Sequence, residues 1–314
     1  METTATLDTL LSPEEVIIQL NKAYELMITQ FSMGDLSRSF FRGSVNKYSY
    51  RIIATGIIST ENIGTSTTFR NRIENPTDED RKLLIEDAYK SLICQIYNYI
   101  TFIPNYIKRA AERMEEIGKK EYTGLMQTKS GKSQVDNTKE DYQGEKNHYQ
   151  WVRDDGINLG LSLDEITNTP ESSEVKQFKA VLERTVNSNY PLGILGPAFV
   201  LQELSARRAE ISSTSLALNM KRYSGIPNIE NAVSTFEEHA KADVVDIRDL
   251  IERILVMTPD LGDFQGDFRS MITSANDVAV IYPTIYNNLP LPRFRDYLRT
   301  LSKESQNIVT HKNN

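Results

Sequence analysis

Apolar residues recur along this chain at intervals of three and four, with no sustained strict alternation, and that period predicts helices rather than strands. Ser12-Pro13-Glu14-Glu15 combines an N-cap, a proline at the first helical position and a capping-box acid. Val16, Ile17, Leu20, Tyr24, Met27 and Phe31 continue it as a helix. Thr77-Asp78-Glu79-Asp80 opens a second long helix through Leu84, Ala88, Leu92, Ile96, Tyr99 and Ile103, which Pro104 should break near Phe102. Between them, Gly56 to Pro76 is rich in Ser, Thr and Asn and reads as a loop with at most short structure. The polar run Lys119 to Gly144 reads as a surface excursion or lid. Helical patterns resume over 145–159, 171–187, 190–221, 228–257, 264–288 and 293–307, punctuated by Gly160, Pro170, Gly225-Ile226-Pro227, Pro259 and Leu289-Pro290-Leu291-Pro292. Pro283 should kink the fifth of these. No repeat is present, and the class expected is all-α.

Composition narrows the partners. With 314 residues and 39% hydrophobic content the chain can bury a substantial core, as one large or two modest domains. A net charge of −7 and no basic stripe argue against nucleic acid or an anionic membrane as a main partner. The start, Met1-Glu2-Thr3-Thr4-Ala5-Thr6, has neither a basic nor an apolar leader segment, and no apolar run reaches the length of a membrane span. A soluble, cytoplasmic protein is therefore expected. Cys94 is the only cysteine, so thiolate metal clusters and intrachain disulfides are excluded, and any metal site must use His, Asp and Glu. Of the three histidines, His311 lies in a polar tail, leaving His148 and His239.

Both remaining histidines sit in acid-containing helical patterns. His239, Asp243 and Asp246 stand at i, i+4 and i+7, on the helix face that also carries Phe236, Ala240, Ile247 and Leu250. Glu145 and His148 stand at i and i+3, the spacing helical bundles use to ligate iron, and that face continues onto Val152 and Leu159. Glu203 joins the apolar face through Leu192, Leu195, Gly196, Phe199 and Val200. Carboxylates aimed at a core need a partner, and a metal ion is the simplest one. Four carboxylates would neutralise two ferrous ions, and mixed oxygen and imidazole ligation suits iron or manganese, with zinc still open on ligand type alone.

Each element also has a plainer reading. Glu237, Glu238 and Asp249 make the helix around His239 acidic on every side, as a solvated face would be, and Glu203 can simply pair with Arg207 at i+4 or with Arg208. Gly193 and Gly196 would let backbone approach a substrate closely, or would equally serve close helix packing.

Beyond these residues the chain resembles the heme-oxygenase-like diiron oxidase superfamily. Its pattern is an early Glu and His, a lone Glu on a middle helix, and then His-x-x-x-Asp-x-x-His. Here that maps onto Glu145 with His148, onto Glu203, and onto His239, Asp243 and Asp246. The intervals of 55 residues from His148 to Glu203 and 36 from Glu203 to His239 are similar to those of the family. Gln95-Ile96-Tyr97-Asn98-Tyr99-Ile100-Thr101-Phe102-Ile103-Pro104 resembles its aromatic first core helix, and His148 followed by Gly156-Ile157-Asn158-Leu159-Gly160 resembles its "His, then Leu-Gly" stretch. The likeness covers residues 80–290 or so and departs at two places. Asp246 stands where the family has a histidine, and Asp141 offers an alternative or additional first carboxylate seven residues before His148.

The resemblance implies a seven-helix domain over 77–307; residues 1–76 lie outside it and are expected to form additional helices that pack on the core or build a homodimer interface. It also implies two Fe(II) ions, one weakly held, with O2 as co-substrate and an external electron donor. The activity it implies is oxygenation of a small molecule in specialised metabolism, foremost N-oxygenation of an amino acid or amine. Oxidative decarboxylation or C–C cleavage of an amino or fatty acid is the alternative on the same site. No catalytic residue beyond the metal ligands is expected, and a homodimer is compatible. A heme-binding relative would need a proximal histidine before residue 148, where the chain has none, and Cys94 lies in an apolar helical stretch unlike a nucleophile. Asp243-x-x-Asp246 and Asp246-x-x-Asp249 are weak as a magnesium-diphosphate signal. A non-catalytic helical binding protein is the reading from another class.

Overall fold

The computed structural model describes residues 10–31, 47–120, 123, 145–224, 226, 229–257 and 264–312. Among them there is no strand, so the all-α expectation holds, and no helix is long and apolar enough to cross a membrane. The helices are α1 (Pro13–Gln30), α2 (Lys47–Thr60), α3 (Thr67–Glu74), α4 (Asp78–Ile100), α5 (Ile103–Glu116), α6 (Glu145–Asn158) and α7 (Leu163–Asn168). They continue as α8 (Ser173–Val186), α9 (Leu195–Tyr223), α10 (Ser234–Leu255), α11 (Gln265–Asn287) and α12 (Pro292–Lys312).

Local signals set most boundaries. Ser12 and Glu15 form a reciprocal capping box at α1, as do Thr77 and Asp80 at α4. The α4 helix stops at Ile100 and α5 restarts at Ile103 with Pro104 in its first turn, where the missing N–H costs nothing. Pro283 lies inside α11.

The expected loop over Gly56 to Pro76 is instead mostly helical, since α2 runs to Thr60 and α3 fills Thr67–Glu74. The Ser66 hydroxyl caps α3, and Phe69 and Ile73, one turn apart, are both buried; two apolar anchors and a cap outweigh a polar composition. The polar run 119–144 lies almost wholly outside the described residues. The last helix extends to Lys312, so the backbone of His311 is helical.

The longest packing seam joins α9 to α10, and α1 lies along α11 and touches α9. Val16, Leu20, Tyr24 and Met27 of α1 belong to the same apolar core as Leu84, Phe178, Phe199, Leu250 and Val278, so the N-terminal segment is part of one continuous interior. Gly193 and Gly196 mark close approaches to α11. A Cβ on Gly196 would collide with the Met271 backbone of α11, and the Gly193 carbonyl accepts from the Ser274 hydroxyl at 2.7 Å. These glycines serve helix packing.

Buried polar side chains in this core tie elements together. Gln95 donates to the Pro170 carbonyl and accepts from the Ser172 N–H, while Asn98 donates to the Thr169 carbonyl, which fixes the turn between α7 and α8 against α4. On the same helix, Asp87 accepts the Phe294 N–H at 2.9 Å and so caps α12 from across the fold.

Candidate functional site

The α10 helix begins without a cap of its own, because Val233 carries no side-chain acceptor. Asp155, fully buried on α6, supplies one: its Oδ1 accepts the Ser234 N–H at 3.0 Å and its Oδ2 accepts the Thr235 N–H at 2.8 Å. Burial raises the Asp155 carboxyl above its ordinary value, opposed by these hydrogen bonds. A carboxylate at a helix N-terminus also meets the positive end of the dipole, so the contact locks α6 to the first turn of α10.

That lock sets the distance between the two histidines. His148 lies two turns before Asp155 on α6 and His239 one turn into α10, and their ring centroids are 4.4 Å apart. Trp151 packs against His148 in a tilted arrangement with ring centroids 4.7 Å apart and meets His239 edge-on at 5.5 Å. The Thr235 carbonyl accepts from Nδ1 of His239, which fixes the tautomer in which Nε2 keeps its lone pair.

His148, His239 and the buried Asp243 line one cavity of about 130 Å³ between α4, α5, α9, α10 and α11. Much of the rest of its lining is aliphatic, including Ile96, Ile100, Ile107, Leu182, Leu201 and Leu204. Three phenols close one side. Tyr282 shares hydrogen bonds with Tyr99 at 2.8 Å and with Tyr286 at 3.1 Å, and deep burial holds all three well above the ordinary phenol value, so they stay protonated.

The remaining expected ligands lie elsewhere or outside the described residues. Glu203 is buried, but it faces away from this cavity: Arg207, one turn on, grips both of its oxygens and lies over the Tyr24 ring of α1 at 5.0 Å. Gln202, not Glu203, is the α9 side chain that lines the cavity. Asp246 is half-buried and acts with Asp249 on Arg253, whose charge burial disfavours. Asp141, the side chain of Glu145 and that of His311 lie outside the described residues.

Among the described residues, no group of three or more His, Cys, Asp or Glu side chains stands in metal-ligating arrangement. What the cavity lining holds is looser: two neighbouring imidazoles, His148 and His239, and, elsewhere in the same lining, the Asp243 carboxylate and Gln202. By donor type alone, two histidines and a carboxylate are what iron or manganese takes, but His148, His239 and Asp243 are not arranged here as a ligand cluster. A second ion would need Glu203 to leave Arg207, or carboxylates from 141–145.

Sequence reasoning missed Asp155, Gln202, Trp151 and the phenols. Asp155 carries no local signal because its partners lie 79 and 80 residues away. No family model matches this chain, and neither does any curated protein.

Proposed function

We propose that this chain is a non-heme iron oxygenase on a heme-oxygenase-like helical scaffold, oxidising a small molecule in the cavity between α4, α5, α9, α10 and α11. The observation that carries the reading is that His148 and His239, from separate helices, pack against each other in the lining of one largely aliphatic and aromatic cavity that the buried Asp243 also lines. His148, His239 and Asp243 would hold iron, and Glu203, Asp246, Glu145 and Asp141 are the carboxylates from which a second ion would draw. Iron(II) bound there supplies the activation of O2.

The chain's own residues account for the rest. The Thr235 carbonyl keeps the Nε2 lone pair of His239 available, and Asp155 sets the separation of the two imidazole-bearing helices. The aliphatic part of the lining lowers the local polarity, which would strengthen electrostatic contacts inside. The neutral phenols of Tyr99, Tyr282 and Tyr286 hydrogen-bond to one another within the lining of the cavity. The reaction favoured is N-oxygenation of an amine or amino acid, ahead of decarboxylation or C–C cleavage.

Trp151 is the only tryptophan and touches both histidines, so its fluorescence reports on this site alone. Anaerobic titration with Fe(II) should quench it with saturation at one or two equivalents, and His148→Ala or His239→Ala should abolish the effect. A non-catalytic binding protein is the second reading, favoured by the Arg207 grip on Glu203; unchanged Trp151 emission and no retained iron would establish it instead.

A further inference from the structure

The cavity between α4, α5, α9, α10 and α11 is not walled equally on all sides. Its lining residues on α4, α6, α8 and α11 are buried, as are Thr235, Phe236 and Asp243 of α10. Those that keep part of their surface in water are His239 and two short stripes, Ile103 with Tyr106 on α5, and Ala198, Leu201 and Ser205 on α9. Spacings of three and four put each stripe on one helical face. The α5 helix packs on α8 and on the turn Pro191–Ile194 but makes little contact with α9. Two helices that scarcely touch, each carrying side chains that meet both the cavity and water, flank an opening.

Charge sets the second constraint. Among the described lining residues there is no Lys or Arg, and the one carboxylate, that of Asp243, already has an interaction of its own. An ionic group drawn inside would lose its water with no permanent cation, and no uncommitted anion, to receive it. Aliphatic and aromatic side chains, among them Ile100, Leu182 and Phe236, instead favour burial of apolar surface.

We infer that the ligand of this cavity is an uncharged, largely apolar small molecule that enters between α5 and α9, past Ile103, Tyr106, Ala198, Leu201 and Ser205. This rests on reading the cavity as the substrate pocket and narrows the substrate class away from amino acids, which are ionic at both ends. It does not require iron to be present.

The test uses the full chain after chelation, at neutral pH. Calorimetric titration with cyclohexanol, cyclohexylammonium and cyclohexanecarboxylate, which share one compact body, should show the alcohol binding at least about tenfold tighter than either ion, since uncompensated burial of a charge costs no less than that. The route is read with thiols introduced on α9 by Ser205→Cys, in the mouth, and by Ile211→Cys, at a position 59% exposed and outside the lining. Wild type, whose Cys94 is buried, sets the background. Benzyl methanethiosulfonate should label both variants from solution, and cyclohexanol should slow the labelling of Ser205→Cys severalfold while leaving that of Ile211→Cys unchanged. Attached after folding, the benzyl group on Ser205→Cys should weaken cyclohexanol at least about tenfold, as overfilled space does, and a reducing thiol should restore it. Either ion binding as tightly as the alcohol, a thiol in Ser205→Cys that does not react or is not protected, or an adduct there that leaves the affinity unchanged would each overturn the inference. Cyclohexanol binding without Fe(II) uptake counts against the oxygenase reading alone, and Fe(II) uptake without cyclohexanol binding counts against this one alone.

Discussion

Arg207 grips Glu203 from one helical turn away, with the carboxylate buried and the guanidinium half-exposed over Tyr24. The pair occupies the side of α9 that faces α1, while Gln202 occupies the side that faces the cavity. Hydrogen bonding to Glu203 raises the Arg207 pKa further above its ordinary value, so the cation is permanent. Glu203 can therefore serve a metal only by exchanging one positive partner for another.

Replacing Arg207 with Met separates these roles. Without metal the variant leaves a buried carboxylate unmatched and should lose about 2 kcal/mol of stability. If Glu203 is recruited as a ligand, Fe(II) should restore part of that loss and the variant should take up more iron than wild type, measured by thermal melts and metal content on the same samples. An identical deficit with and without Fe(II) would assign the pair to structure alone.

Close packing between the start of α9 and α11 yields a second expectation. A methyl group at Gly196 meets the Met271 backbone, which cannot rotate away as a side chain would, so Gly196→Ala should cost about 1–3 kcal/mol. At Gly56, an exposed position inside α2 with open space around it, the same substitution should instead stabilise by about 0.5–1 kcal/mol. Denaturant midpoints for the two variants check both signs, and a neutral Gly196→Ala would refute the close approach.

At the α7 cap, Glu165 accepts from the N–H and hydroxyl of Ser162 and pairs with Arg293 of α12, and these contacts, the Ser162 N–H foremost, hold its carboxyl down at about 2. A carboxyl depressed in the folded state lends stability that is fully present above its unfolded value of 4.5 and disappears as pH falls toward 2. Glu165→Gln should therefore be less stable than wild type at pH 7, and the gap should close steadily below about pH 4.5. The side chain is nearly half-exposed, so added salt should narrow the neutral-pH gap as well. A gap independent of pH would mean that the charge on Glu165 contributes nothing.

The helices were legible because their signals are local. Caps at Ser12 and Thr77, the proline at 104 and the spacing of apolar residues all act within a turn or two. Glu203 shows where that legibility ends. Its helical face correctly reads as buried, but α9 is buried on two sides, and period alone cannot say whether an inward residue meets α1 or the cavity. One position, about 100° around the helix, decides between Glu203 and Gln202. The 61–66 connection was overestimated for the opposite reason: polar composition hid a short helix that two apolar anchors suffice to hold.

The contact that organises the site, Asp155 on the first turn of α10, is likewise invisible along the chain and yet testable. Asp155→Ala removes the acceptor for two backbone N–H groups that have no other cap, and should cost about 3 kcal/mol. Its exposed neighbour provides the control: among the described residues Asp154 pairs with Arg153 at the surface, and Asp154→Ala should change stability by less than about 0.5 kcal/mol. The two variants should also differ at a distance. Freeing the N-terminus of α10 lets His239 drift from His148 and from Trp151, so Asp155→Ala should shift the Trp151 emission even under conditions where the protein remains folded, whereas Asp154→Ala should leave it at the wild-type wavelength. Unaltered emission in folded Asp155→Ala would show that the packing of α9 against α10 is enough to hold the two imidazoles together, and that the buried carboxylate serves only the helix end.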